Sequence, residues 1–379
     1  MDDRRSRLVD DGTRLLHADL HNHSLFSDGD GDPESAFDEM RAAGLDVAAL
    51  TDHASIPHHQ VEFLDLTHYP DEDALAIGRT PPRSIDDDGW KRTGEIADAH
   101  DVPGEFTALR GFEWTEPWLG HVNVWFTDAF LPVTTPGDFE GLHEFLREKE
   151  PDALFGYNHP GREPGRLAEF ARDGADGLDG RMVALEAFNR RHDYLFAGHA
   201  DGLSSPIVAC LDAGWRPGLI GCSDEHGPSY GLAGRGRTGI WAREHSREGV
   251  REALLARRTF ATREIGLRLD ATLDGVRMGG ELGRLAGVRV LDVDLAGSAY
   301  DGRPVQLQLL ASDGSGVPAV VATADARVGE VARVEVDVPD LPWVLLRVAD
   351  PTRPSDTPGP RDHPASRWGV AYASPWWSA

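Results

Sequence analysis

The chain has 379 residues, a formal net charge of -26, 40% hydrophobic and 27% charged residues, the balance of a water-soluble globular protein with room for two domains. So acidic a surface repels phosphate backbones and anionic lipid, which argues against nucleic acid and membrane partners, although a GC-rich or salt-adapted source gives the same arginine-rich, acidic composition. Two cysteines, Cys210 and Cys222, provide no disulfide framework, the polar N-terminus holds no apolar leader core, and no run approaches the roughly 18–20 apolar residues of a spanning helix, so a cytoplasmic protein acting on a small molecule is expected.

From Leu15 to about Glu264, short apolar runs alternate with helical patterns. Strands are expected at Leu16–His21, Asp46–Thr51, Thr107–Trp114, His121–Phe126, Leu154–Asn158, Met182–Phe188 and Leu219–Ser223. Helices are expected at Pro33–Ala43, Phe139–Glu148 and Leu167–Asp173, with a capped amphipathic helix over Ser246–Arg258. Strand then helix, repeated, predicts a parallel α/β architecture, open or closed into a barrel. The stretch from about 55 to 102 fits this rhythm poorly, with Pro81-Pro82, an Asp triplet at 86–88 and little apolar periodicity, and reads as an insertion over one end, possible lid included. After Ile265 the pattern changes to period two, as in Val288–Leu295, Pro304–Leu310, Ala332–Val338 and Trp343–Val348. These segments, separated by Gly, Pro and Asp turns, predict an antiparallel β-sandwich over 265–379 behind an α/β unit over 1–264.

The strand ends of the α/β unit carry one chemistry repeatedly. Asp-Leu-His-Asn-His places Asp19, His21 and His23 on one face of an extended segment, because residues i and i+2 project together. Asp28 follows, then His53 in Thr-Asp-His, Glu113 in Gly-Phe-Glu-Trp-Thr, His121, His159 in Asn-His-Pro-Gly, and Asp224 with His226 in Ser-Asp-Glu-His. Active sites of α/β folds form at this edge of the sheet. Imidazole nitrogen and carboxylate oxygen are the usual ligands of Zn, Mn and Fe ions, and nine such groups exceed the needs of one ion. Two or three divalent metals per chain are therefore expected, with metal-activated water as the nucleophile and hydrolysis as the reaction class.

The ordered set Asp-Leu-His-x-His-Ser…Ser-Asp-Gly, Thr-Asp-His, Gly-x-Glu, His-Pro-Gly and Ser-Asp-x-His resembles the polymerase-and-histidinol-phosphatase (PHP) superfamily over roughly residues 15–264. That resemblance implies a distorted (β/α)7 barrel and a trinuclear centre. His21, His23, Glu113 and Asp224 would hold the first metal, Glu113 would bridge to a second held by His121 and His159, and Asp28, His53 and His226 would hold a third. Within the superfamily, Gly-Phe-Glu-Trp-Thr…Gly-His-Val-Asn-Val-Trp, Asn-His-Pro-Gly-Arg and the terminal Ala-Tyr-Ala-Ser-Pro-Trp-Trp are similar to the carbaryl-hydrolase-like metallohydrolases, which also carry a C-terminal β domain.

Around the ligand positions, Asp19 and Asp52 are candidates for orienting imidazoles or water, or equally for capping amides. Arg162 is a candidate partner for a substrate phosphate or carboxylate, as is one of Arg235 and Arg237. His192 is a candidate general acid, with Glu186 and Asn189 as polar rim beside it. Trp90, Trp114, Trp118 and Trp125 offer an aromatic wall or core packing. The superfamily resemblance favours a small-molecule phosphoesterase, and the narrower one a carboxylic ester, carbamate or amide hydrolase. Convergent Arg or Lys near the metals would favour the first, and an aromatic, cation-poor pocket the second.

Overall fold

Short, wholly apolar runs become strands buried on both faces, as a helix-covered sheet requires. The computed structural model describes residues 4–56, 83–116, 119–133, 139–162, 170, 176–357 and 359–379. The first part comprises β1 (Arg14–Asp19), β2 (Val47–Leu50), the two-residue β3 (His53–Ala54), β4 (Thr107–Glu116), β5 (Gly120–Trp125), β6 (Leu154–Tyr157) and β7 (Met182–Asn189). It continues with the two-residue β8 (His192–Asp193), β9 (Gly218–Cys222), β10 (Arg237–Ala242) and β11 (Thr259–Thr262).

Helix α1 (Pro33–Ala42) starts where Asp32 accepts from the Glu34 amide and Pro33 takes the first turn, and Gly44 follows it with φ +83°. Residues 57–82 of the expected insertion lie outside the described residues. Its last part is a helix, α2 (Asp87–His100), packed on β4 through Trp90 against Phe112. The Asp triplet that looked irregular is the start signal: Asp86 caps the Gly89 amide, and Asp87 and Asp88 sit where the helix dipole favours negative charge. Helix α3 (Glu140–Glu144) continues as a π turn over Phe145–Lys149. Helices α4 (Pro206–Asp212) and α5 (Arg247–Leu255) are capped by Ser205 and Ser246. The helix expected at Leu167–Asp173 falls outside the described residues apart from Phe170.

The ladder runs β9–β7–β6–β5–β4–β2–β1–β10–β11. Its far edge then returns to β1, where the Asp224 amide donates to His21 O (3.0 Å) and the His23 amide to Glu225 O (2.9 Å). Parallel pairing fails at β10, which is antiparallel to β1 and β11, and at β5, which is antiparallel to both β4 and β6. The reversal at β5 follows from the short β4–β5 connection, since a parallel crossover needs a dozen or more residues.

The second part adds β12 (Arg268–Leu273), β13 (Val276–Arg277), β14 (Glu281–Leu282), β15 (Gly287–Ala296), β16 (Pro304–Ser312), β17 (Pro318–Arg327), β18 (Val331–Val338), β19 (Trp343–Pro354), β20 (Arg367–Ala373) and β21 (Trp376–Ser378). Strands β13–β12–β15–β18 form one antiparallel sheet. Strands β17–β16–β19–β20 are also antiparallel, and β20 pairs with β11, so this layer continues the sheet of the first part. One apolar core fills the space between the layers, with Leu269, Leu291 and Val293 facing Leu307, Leu346 and Val348, and it takes in Trp241 and Phe260 of β10 and β11.

A buried polar knot fastens the two parts. Arg347 of β19 has no exposed surface and donates to Tyr372 Oη (2.8 Å), Gln308 Oε1 (2.9 Å) and Asp193 Oδ2 of β8 (3.4 Å). Removing one partner of such a pair strands the other in a low-dielectric interior. Arg347→Met is expected to cost about 3–5 kcal/mol, read as a lowered urea midpoint; an unchanged midpoint would show the knot to be dispensable.

His17 on β1 supplies a pH dependence. Its Nδ1 is buried without a hydrogen-bond partner among the described residues, and burial pushes the imidazole down to about 4, with Asp46 opposing and Arg4 and Arg237 assisting. The unfolded chain therefore takes up a proton below the ordinary value of 6.5 that the folded chain refuses. This contribution is complete above pH 6.5 and fades as pH falls toward 4. His17→Gln should flatten the fall in stability between these limits by roughly 2–3 kcal/mol, measured by denaturation at several pH values.

Candidate metal centre

The nine residues expected as ligands converge at one rim. His21 and His23 lie just past β1, His53 begins β3, His159 follows β6, and Asp224 and His226 follow β9. Glu113 lies within β4. His121 stands near the start of β5 rather than at its end, yet the antiparallel register sets it opposite Thr115 and so on the same rim. His159 and Asp224 have φ of +26° and +48°, a region non-glycine residues avoid and one that functional sites often retain.

Glu113 is the hub. Fully buried, its carboxylate lies 2.7 Å from His53 Nδ1, 3.1 Å from His21 Nε2, 3.3 Å from His121 Nδ1 and His159 Nε2, and 3.5 Å from His23 Nε2. Asn158 Nδ2 donates to the same carboxylate at 2.7 Å. Burial alone would raise its pKa, but His21, His121 and His53 outweigh that and hold it well below the usual carboxylate range. The Asp224 carboxylate has two faces. Its Oδ1 lies 3.2 Å from His23 Nε2 and 3.4 Å from His21 Nε2 and His226 Nδ1. Its Oδ2 lies 3.1 Å from Arg162 Nη1 and 3.3 Å from Arg190 Nε. Burial opposes its ionisation, yet Arg190, His21 and His226 bring its pKa well below normal.

The donor atoms fall into three overlapping groups, each within 4.8 Å: His21, His23 and Glu113; His53, Glu113 and His121; and His23, Asp28, His53 and His226. This differs from the expected division, because His53 links two groups and His23 joins the Asp28 group. The set fits divalent cations. His21 Nε2 meets His23 Nε2 at 3.1 Å and His53 Nε2 meets His226 Nε2 at 3.4 Å, approaches that a shared cation between lone pairs would reconcile. Buried Asp28 Oδ1 and His121 Nδ1 have no hydrogen-bond partner among the described residues, although imidazole or carboxylate groups stand within 3.6 Å.

The surrounding residues depart from expectation. Glu186 is not rim but fully buried, accepting from His21 Nδ1 (2.8 Å), the His159 amide (2.6 Å) and Asn189 Nδ2 (2.8 Å), so it fixes the ring through which His21 faces the centre. Asp19 accepts the Ser223 amide at 3.1 Å; burial pushes its carboxyl up to about 6 against the hydrogen bonds from Ser223. Asp52 takes three hydrogen bonds from Ser24 and Ser27 rather than one from an imidazole. Both carboxylates thus cap loop groups. His192 lies outside the cluster, in β8, its ring 6.4 Å from that of Tyr194. Arg237 is buried against Gly231 O (2.6 Å) and Arg235 pairs with Glu225 (3.5 Å), so neither joins Arg162 on Asp224. Arg190, which does, was missed because the motif reading of Asn-Arg-Arg-His passed over it for His192. Trp90, Trp114 and Trp125 are core residues rather than a wall, and Trp118 lies outside the described residues.

A family model described as a protein of unknown function (DUF3604) matches residues 33–135, a minority of the chain. No curated protein matches. Among solved structures, a two-domain protein from Bacteroides vulgatus, described as containing a predicted PHP-like metal-dependent phosphoesterase, superposes with a TM-score of 0.51 at 21% identity, covering 97% of each chain. A protein from Bifidobacterium adolescentis, provisionally described as a metal-dependent phosphoesterase, gives 0.37 at 14% identity over 62% of this chain and 95% of its own. An amidohydrolase from Chromobacterium violaceum with bound sulfate and no metal gives 0.31 at 15% over 57% and 89%. The first likeness shows a shared two-domain fold of mixed α/β and β structure; the other two are too loose to support an argument.

Because Glu113 belongs to two donor groups, Glu113→Gln is expected to lower the divalent metal bound per chain and abolish turnover. Elemental analysis after metal loading decides it, and full metal content with full activity would refute the hub role.

Proposed function

We propose that the protein is a metal-dependent hydrolase of the PHP type, built on that superfamily's distorted (β/α)7 barrel, and that it cleaves phosphate esters of a small molecule. The observation that carries this reading is the pair Arg162 and Arg190 on one oxygen of Asp224, whose other oxygen faces His21, His23 and His226. Arg190 Nη2 also reaches within 3.2 Å of His226 Nδ1. Two guanidiniums beside a metal cluster are the arrangement that recognises a phosphoryl group, since each offers a planar fork of donors.

Zn, Mn or Fe ions held by the three donor groups, two or three per chain, would supply an acidified water and neutralise charge developing on the phosphoryl oxygens. The chain's own groups do the positioning. Asp224 holds both guanidiniums beside the cluster through one oxygen. Glu186 fixes His21, and Asn158 fixes Glu113, so neither needs to reorganise as charge develops. Partial burial and the cations Arg162 and Arg190 hold the His192 imidazole below its ordinary value, against Asp356. The ester and carbamate reading, of the carbaryl-hydrolase type, has less support from the tryptophans, since Trp90, Trp114 and Trp125 pack in the core.

Metal-loaded protein assayed on phosphomonoesters, phosphodiesters and aryl carboxylic esters tests the reading. Arg190→Ala with Arg162→Ala should lower kcat/KM on the best phosphoester by about 10²–10³, and leave residual aryl-ester cleavage within a few-fold. Preference for aryl esters, or an equal loss on both substrate classes, would overturn it.

A further inference from the structure

Asp52 is completely buried and lies outside the donor groups, next to His53, which belongs to two of them. Its carboxylate accepts from the Ser24 amide (2.7 Å), Ser24 Oγ (2.8 Å) and Ser27 Oγ (2.6 Å), gathering both ends of the turn that delivers Asp28. Its carbonyl accepts the Glu113 amide at 3.1 Å, and the next residue is His53. Other bonds also tie the turn: the Ser27 and Gly29 amides to Ser24 O, the Leu25 amide to Gly31 O (2.9 Å), the Phe26 amide to Ser24 Oγ (3.2 Å), Arg83 to Leu25 O, and the Asp30 amide to His226 O (2.6 Å). It is also tightly packed, since a Cβ on Gly29 would meet the His23 and Ser24 backbone at 2.8 Å. At its tip, Asp28 presents an unpartnered oxygen 3.4 Å from His53 Nε2 and 3.6 Å from His226 Nε2.

We propose that Asp52 is the positioning residue for one metal site, clamping the Ser24–Ser27 turn so that Asp28 completes the group with His23, His53 and His226. This inference rests on the metal-dependent reading. A carboxylate is suited to the clamp because all three bonds need acceptors, and four lone-pair sites on two oxygens supply them without competing for the metal. Loss of the clamp removes the bonds that draw the Ser24 and Ser27 hydroxyls together, leaving the turn held by its other hydrogen bonds and by Phe26 packed on the core, so Asp28 is less ordered before an ion binds.

The test is metal binding rather than turnover. Protein stripped with chelator, reloaded with Mn²⁺ and gel-filtered is analysed for ions per chain, with affinity by calorimetry. Asp52→Ala and Asp28→Ala should each bind one ion fewer than wild type, the remaining ions binding with unchanged affinity. Ser27→Ala, which removes one strand of the clamp, should keep the full count but bind its weakest ion about 10-fold less tightly, within the range typical of outer partners of metal ligands. Full count and unchanged affinity in Asp52→Ala would overturn the clamp, as would loss of every ion. Should Asp52→Ala fail to fold, unchanged affinity in Ser27→Ala overturns it instead. Wild-type protein that binds no divalent ion would sink the metal-dependent reading itself, an outcome distinct from failure of the clamp.

Discussion

A carboxylate with no access to water must be compensated where it stands, because an isolated buried charge costs more than any fold of this size can spare. At Glu113 the compensation is five imidazoles within 3.5 Å and an amide from Asn158. Those groups come from β1, β3, β5 and β6 or the turns just past them, so every strand near β4 has to deliver a side chain to the same height. The reversed β5 makes sense in this light. A parallel strand would bring a ligand to the rim at its end; the antiparallel β5 brings His121 there near its beginning, opposite Thr115, and needs only a short connection. The return of β9 to β1 does the same for Asp224, whose amide is held by His21 O in the same turn that brings its carboxylate to His23.

The β layers are not an appendage to this rim. Strand β20 pairs directly with β11, which pairs with β10, so ladder hydrogen bonds run without a break from the terminal strands to β1. Arg347, braced by Gln308, and Tyr372 both meet Asp193 of β8, three residues after Arg190 at the edge of the site. A cationic residue that contacts Asp224 and His226 is thus a few residues from the buried knot joining the two parts. Sites held on strands with such backing keep their geometry better than sites on unsupported loops.

Much of the centre was legible because ligand chemistry is written in residue type. Histidine and carboxylate at period two or just past an apolar run have few packing explanations, and all nine positions read this way do converge. What sequence could not supply was partner choice. Asp52 and Glu186 are both acidic residues near strand ends, yet one caps a serine turn and the other orients His21; only the fold decides between them. Arg190 was hidden by a neighbouring histidine of more familiar chemistry, and Arg237, equally well placed in sequence, turns into the interior toward Gly231. The Asp triplet before α2 was misjudged for a different reason. Apolar periodicity is thin there, with Trp90, Ile96 and Ala97 carrying the buried face, while the capping signal that starts the helix resembles loop composition.

Charge gives the last constraint on what the rim can receive. A chain of net charge -26 repels anions at long range, but salt screens that field beyond roughly 8 Å at physiological ionic strength. Inside that distance local groups decide, and at the rim they are Arg162 and Arg190, held together by a shared oxygen of Asp224. Like charges tolerate such proximity only while an anion sits between them. Asp224 already fills that role on one side, and its own negative charge is drawn in the other direction by the imidazoles of His21, His23 and His226. Cations loaded into the neighbouring donor groups would also draw on Asp224, so in the proposed reading the demand for a second anion beside the guanidiniums grows as the centre fills. A phosphoryl group meets that demand with up to three oxygens, whereas an uncharged ester or carbamate brings no charge at all.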